Sequence, residues 1–293
     1  MSEEMTEHSD TQGSAARHRA AVTRYYGKPE SRIGYSLILG DTKHFGYYRP
    51  GDSPRPFGPA MRRMEDLLGE RLGLPRGSRV LDAGAGVGDV ASRLAEAWGL
   101  DVTGIDILPF SIVEAAKRIS KRGLTDRVRV VEMDYAELEF PDDSFDGAYT
   151  METLVHSDRV EQVLAGLHRV LAPGGRLVLF EYARLPTAET TPTEEAVLTQ
   201  VNQLGAMPGF QRFEYGVLEQ LLLDAGFVDV EVEDVTDQIM PMLRAIVALF
   251  WPVYEINRLR GRPASWINGM SAVELYRHRR TWRYQVYSCS KRP

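Results

Sequence analysis

From Arg79 onward the chain repeats one unit: a short apolar segment, a glycine or proline break, then an amphipathic helix. This alternation constrains the fold more than any other feature. Strands joined by helices run parallel, and the helices cover both faces of their sheet. Val80-Leu81, Val102–Ile105, Val128–Met133, Phe145–Thr150 and Arg176–Glu181 read as five such strands. The segment Asp158–Leu171 shows the helical half of the unit, with Val160, Val163, Leu164, Leu167 and Val170 on one face. Ser111 and Glu114 read as a capping box opening another helix, which closes before Gly123. Pro173-Gly174-Gly175 is expected to end the helix before the fifth strand. A helix over Glu214–Ala225, an alternating strand over Phe227–Glu233 with Val228, Val230 and Val232 on one face, and a last strand over Tyr284–Ser288 complete the pattern. The expected class is α/β: a doubly wound, seven-stranded, mostly parallel sheet.

The remaining segments divide around that core. Residues 1–16 are acidic and rich in small residues, the composition of a disordered tail. Residues 17–75 form an aromatic and helical flap carrying Tyr25, His44 and Tyr47, with Met61, Met64, Leu67 and Leu68 on one helix face. The core is expected over 76–235, a helical lid over 236–281 and the last strand over 282–293. The lid is Met-rich and broken by prolines, and its longest apolar run, Ala245–Tyr254, is about half of a membrane span. No transmembrane segment is therefore expected, and a formal charge of −6 argues against nucleic-acid binding. One cysteine, Cys289, excludes an intramolecular disulfide and a multi-cysteine zinc site. No metal is expected, and with no secretory signal the expected location is cytoplasmic.

The segment Val80-Leu81-Asp82-Ala83-Gly84-Ala85-Gly86-Val87-Gly88 lies at a strand-to-helix junction, where open α/β sheets bind ligands. Glycines there let backbone amides approach a ligand closely. The dinucleotide fingerprint places its third glycine one residue later than Gly88. Asp82, just before the loop, suits a ligand with an ammonium and a sulfonium better than a pyrophosphate. Asp106 ends the second strand, where a carboxylate can accept ribose hydroxyls, and Asp134 follows the third, within reach of an adenine amino group.

Together with Met133-Asp134-Tyr135, Phe140–Asp146 and Leu171-Ala172-Pro173-Gly174-Gly175, these residues resemble the class I S-adenosylmethionine-dependent methyltransferases over roughly 78–183. The resemblance implies a Rossmann-like fold and an S-adenosyl-L-methionine cofactor. It assigns cofactor contacts to Asp82, Gly84, Gly86, Gly88, Asp106, Ile107, Asp134 and Tyr135. Glu152, His156 and Glu181 resemble the acceptor-side residues of sterol C-methyltransferases, and Gly40–Tyr48 resembles the approach segment of tocopherol and sterol methyltransferases. The triple-histidine stretch of geranyl diphosphate members is absent, with only His44 in that segment.

Two chemistries are open at this stage. In C-methylation, Glu152 would stabilise a carbocation or take its proton, with Tyr25, Tyr47 and Tyr182 as cation–π faces. In O- or N-methylation, His156 would take the acceptor proton while Glu181 orients its imidazole. Phe250 and Trp251 on the lid, with His44, Tyr47 and Tyr182, are expected to line an acceptor pocket. The expected substrate is small and hydrophobic, isoprenoid-like under the first chemistry and a glycoside, phenol or alkaloid under the second. A homologue that binds the cofactor but has altered catalysis, such as a cyclase-like scaffold, is a third expectation. A homo-oligomer is compatible with all of them, and basic residues near the C-terminus offer a place for a phosphate or carboxylate.

Overall fold

The computed structural model describes Thr23, residues 44–261 and residues 267–293. The expected 1–16 tail and Tyr25 lie outside the described residues. A first helix, α1 (Gly58–Leu72), buries Met61, Met64 and Leu68 and stops at Gly73, whose φ of 61° closes the last turn. A Cβ on Gly69 would stand 2.3 Å from the Trp98 indole, so α1 lies directly against α2 (Asp89–Trp98).

Seven strands follow: β1 (Arg79–Ala83), β2 (Asp101–Asp106), β3 (Val128–Glu132), β4 (Phe145–Met151), β5 (Leu171–Arg184), β6 (Phe227–Asp234) and β7 (Trp282–Lys291). They form one sheet in the order β3-β2-β1-β4-β5-β7-β6. The first five strands pair in parallel, and β7 runs antiparallel to both neighbours. The chain reverses its direction of travel across the sheet between β1 and β4, so the crevice beyond the ends of β1, β2 and β4 is where a ligand would enter. Helices α3 (Pro109–Lys121) and α4 (Val160–Val170) cover the sheet, and the five apolar residues expected on the inner face of α4 are all buried.

Three local expectations are corrected. Helix α3 opens on Pro109 at its first position and has no side-chain cap; Ser111 is fully buried, and Glu114 bonds Arg118 at 3.0 Å. Proline's fixed φ nucleates that turn, so no capping box is needed. Pro173-Gly174-Gly175 does not separate helix from strand. It is a bulge inside β5, which already pairs at Leu171 with Phe145 and resumes register at Arg176 with Gly147. In β6 the register also shifts between Val228 and Glu231, with Asp229 at φ 53°, so Val232 turns outward.

Between β5 and β6 the chain forms α5 (Pro192–Gly205), α6 (Pro208–Arg212) and α7 (Val217–Asp224). The first two were not anticipated, although Thr191 and Glu194 form a reciprocal capping box ahead of Pro192. Between β6 and β7 come α8 (Thr236–Leu259) and α9 (Ile267–Arg277). Pro241 and Pro252 lie inside α8 without ending it. By length and composition α8 could cross a membrane, yet Ile239, Met240, Met242, Leu243, Val247 and Tyr254 are buried in the fold. Met242 joins Tyr48, Phe57 and Met61 in a small cluster that fastens the segment before α1 to α8.

Candidate functional site

The glycine loop is pinned to the sheet by its own backbone. Gly84 and Ala85 both donate to the Ile105 carbonyl at 2.9 Å, and Gly84 holds φ 104°. A Cβ there would lie 2.6 Å from Thr153, whose hydroxyl donates to the Ala83 carbonyl at 2.8 Å. Gly86, at φ 54°, faces open space. Asp106 spans the loop, accepting from the Gly86 amide at 2.9 Å and the Leu108 amide at 2.8 Å, with half-buried Ile107 between its own position and Leu108.

Asp82 lies beneath this loop, 3% exposed and beside the buried Tyr149 hydroxyl, and among the described residues no group completes a well-formed hydrogen bond to its Oδ2. Burial pushes the Asp82 carboxyl up to about 7; the Tyr149 hydroxyl opposes that shift and Asp106 adds to it. Such a group awaits a cation. Asp134 is engaged at both oxygens, by the Ala136 amide and by Arg159, each at 2.8 Å. The Tyr135 hydroxyl donates to the Thr153 carbonyl at 3.2 Å. Buried Asp82, the open space over Gly86 and the Asp106 carboxylate at the end of β2 fit an adenosine with an ammonium and sulfonium tail.

Beyond β4 a second site forms around Glu152, at a left-handed φ of 57°. Its Oε1 accepts from the Phe45 amide and the Tyr284 hydroxyl, and its Oε2 from the Tyr182 hydroxyl, each at 2.8 Å. Burial raises its pKa while these donors and His44 pull it back. The Phe45, Tyr182 and Tyr284 rings meet edge to face at 5.4–6.4 Å, and Phe210 and Trp282 extend the aromatic wall. Phe45 and Tyr284 were not among the expected site residues. Both lie in segments already singled out, but no spacing rule joins them to Glu152 across 107 and 132 residues.

His44 lies one residue from this clamp. Its Nδ1 is 2.8 Å from the Phe45 carbonyl and its Nε2 3.3 Å from Glu65. Burial opposes its charge, but Glu65 prevails and raises its pKa. Tyr47 is tied to α1 through its backbone, donating to Ala60 and accepting from Arg63, each at 2.9 Å.

Glu181 does not orient His156. Its buried carboxylate accepts from the Thr150 hydroxyl and from the amides of Thr153, Leu154 and Val155 at 2.8–3.4 Å, so it caps the turn Leu154–His156. Burial raises its pKa to about 8, the amides and Thr150 lower it, and Glu152 raises it further. His156 places Nδ1 2.7 Å from the Ala206 carbonyl. Of the lid aromatics, Phe250 packs against the main core. Phe250 packs where a Cβ on Gly269 of α9 would strike its ring at 2.5 Å, and Trp251 is 39% exposed beside Tyr254.

Comparisons with known proteins agree with this layout. A family model described as a methyltransferase domain matches residues 80–175. The chain is 40% identical to an S-adenosyl-L-methionine-dependent Diels-Alderase of Talaromyces variabilis, over 92% of this chain and 94% of that protein. It is 29% identical to a sterol 24-C-methyltransferase of Neurospora crassa, over 80% of this chain and 59% of that one. Among solved structures, the (4+2)-cyclase SpnF superposes with a TM-score of 0.70 at 24% identity, covering 89% of this chain and 93% of its own, a likeness of fold.

Proposed function

The chain belongs to the class I S-adenosylmethionine-dependent methyltransferase family, and from that premise we propose that it closes a ring in specialised metabolism, by an intramolecular (4+2) cycloaddition of a polyene held against the aromatic residues around Glu152. One observation carries this reading: the two carboxylates expected on the acceptor side, Glu152 and Glu181, are both taken up by donors of the fold itself. Glu152 is held by three donors, Glu181 caps a backbone turn, and His156 Nδ1 is against the Ala206 carbonyl. A cycloaddition needs no base. Two carbon–carbon bonds form, three π bonds become one, and no atom enters or leaves.

What such a reaction asks of the protein is a folded conformer of an apolar chain, shielded from water. Half-buried Phe45 and Tyr182 offer apolar faces backed by the buried Tyr284 and Phe210, and Glu152 holds the two tyrosine rings in place through their hydroxyls. When bound, S-adenosylmethionine would supply a fixed sulfonium charge and a transferable methyl group. Asp82 and Asp106 would hold it, and the loop from Ala83 to Gly88 would set its depth.

C-methylation of an isoprenoid-like acceptor is the second reading. The position and raised pKa of Glu152, a carboxylate among aromatic rings, support it, because that environment stabilises a carbocation and receives its proton. The discriminating experiment is mass spectrometry of products from a polyene and isoprenoid panel, with S-adenosylmethionine and then with a non-transferring cationic analogue. An isomer of unchanged mass that still forms with the analogue supports cycloaddition. A product heavier by one methylene unit, lost with the analogue and matched by S-adenosylhomocysteine release, establishes methyl transfer instead.

A further inference from the structure

Away from the glycine loop and the Glu152 clamp, positive charge gathers in one place. A cleft of about 890 Å³ opens where the starts of α5, α8 and β7 meet the end of α9. Arg244, Arg277, Arg279, Arg280 and Arg283 line it against three carboxylates, in a chain of formal charge −6. Two of these arginines are paired: Arg280 with Glu194, and Arg283 with Asp234 at 3.4 Å. The other three keep most of their charge available. Arg277 reaches Glu274 only at 4.0 Å and lies 5.7 Å over the Tyr254 ring. Arg279 lies 5.2 Å over the Tyr276 ring, with one donor on the Tyr276 carbonyl at 3.3 Å. Arg244 has no ion pair among the described residues.

Stacking holds a guanidinium plane in place without cancelling its charge, and the planar fork matches carboxylate and phosphate oxygens. The first turn of the 24-residue helix α8 also faces this cleft, bringing the positive end of its dipole. Gln238 in that turn keeps a buried Oε1 without a hydrogen-bond partner among the described residues. We propose that the cleft binds an oxyanion, a carboxylate or phosphate carried by a small molecule, through Arg244, Arg277 and Arg279. Its volume accommodates a ligand of metabolite size. The wall of the cleft reaches the Glu152 clamp through Thr236, whose hydroxyl accepts from the Tyr284 amide at 2.9 Å while the Tyr284 hydroxyl holds Glu152. The inference goes beyond the reaction proposed above and does not depend on it.

The test is calorimetry on the full chain with inorganic phosphate and with malonate, at constant ionic strength. Saturable binding is expected, weakened about tenfold or more in Arg244→Ala/Arg279→Ala and partly restored in Arg244→Lys/Arg279→Lys. Arg258→Ala, which removes the exposed partner of Glu255 outside the cleft, should bind as the parent does. Unsaturable binding, or equal affinity in the double alanine variant, would overturn the site. S-adenosylmethionine affinity in the same samples should stay within about twofold, so failure of the cofactor reading shows separately. With the acceptor in hand, phosphate that raises its KM competitively marks an acidic group of the acceptor as the ligand. An unchanged KM alongside measured phosphate binding marks a separate metabolite.

Discussion

The two halves of the site are built by different means. On the β1–β2 side, Asp82, Gly84, Gly86 and Asp106 come from a stretch of 25 residues, and backbone bonds to Ile105 and Asp106 set the geometry. On the β4–β5 side, Glu152 is clamped by Phe45, Tyr182 and Tyr284, side chains and amides drawn from three distant segments. The first half is set by local chain geometry and the second by tertiary packing. Their responses to substitution should therefore separate.

The largest effect is expected at Gly84. Its φ of 104° disfavours any side chain, and a Cβ would meet Thr153 at 2.6 Å. Gly84→Val should weaken S-adenosylmethionine binding by about a hundredfold or more in calorimetry, with the far-ultraviolet spectrum retained. Affinity close to that of the parent would mean that the loop is not what positions the ligand.

The next effect sharpens the contrast from the other side. Glu152→Ala leaves the Phe45 amide and two tyrosine hydroxyls without their acceptor. Turnover should fall by about tenfold to a hundredfold while cofactor affinity stays within about twofold. Glu152→Gln should keep much of the clamp and lose less under cycloaddition, but should abolish an alkene methylation that needs a carboxylate. A parallel loss of cofactor affinity in either variant would show that the two halves are coupled.

This contrast also explains what the sequence made legible. The strands, their mostly parallel pairing and the acids after β1, β2 and β3 follow from apolar runs and glycines that are close in sequence, whereas the crossed strand order is seen only in the fold. Partners across the sheet do not follow that way. Glu181 reads as a catalytic carboxylate from its place at the expected end of the fifth strand, but its oxygens close the backbone of the turn Leu154–His156. Phe250 and Trp251 read as pocket aromatics from composition; in α8, which keeps turning through two prolines, Phe250 packs against α9 and Trp251 lies partly exposed beside Tyr254. The bulges in β5 and β6 were hidden because each inserts residues without changing composition.

A pH titration offers a third, intermediate effect confined to the loop side. Burial lifts the Asp82 carboxyl from 3.8 to about 7 in the folded chain. The sign is unlike that of a salt-bridged aspartate. Its stabilising contribution is full below the unfolded value of 3.8 and is lost as pH rises through about 7. A bound cation reverses the preference, so S-adenosylmethionine affinity should rise between pH 5.5 and 7.5 by on the order of twentyfold, with one proton released. Asp82→Asn should flatten that profile. A profile of the same steepness in the variant would assign the proton to another group.

The smallest effect is expected at His156, which tests whether the acceptor side has a base at all. Its Nδ1 is 2.7 Å from the Ala206 carbonyl, and it sits at the end of the turn that Glu181 caps. In the neutral ring that contact makes Nδ1 the donor and fixes the tautomer, so the imidazole joins the Leu154–His156 turn to the end of α5. Under cycloaddition His156→Ala should cost stability of about 1 kcal/mol and leave kcat within about threefold. Proton removal from an oxygen or nitrogen acceptor demands the opposite: a kcat loss of about a hundredfold or more, and a pH–rate limb near the imidazole pKa that vanishes in the variant. Measuring both quantities separates the cases, because a structural histidine lowers the melting temperature without removing a limb. Should the limb be present in the parent and absent in His156→Ala, the acceptor half would be a base-dependent methyl-transfer site, and the difference between the two halves would be one of chemistry as well as assembly.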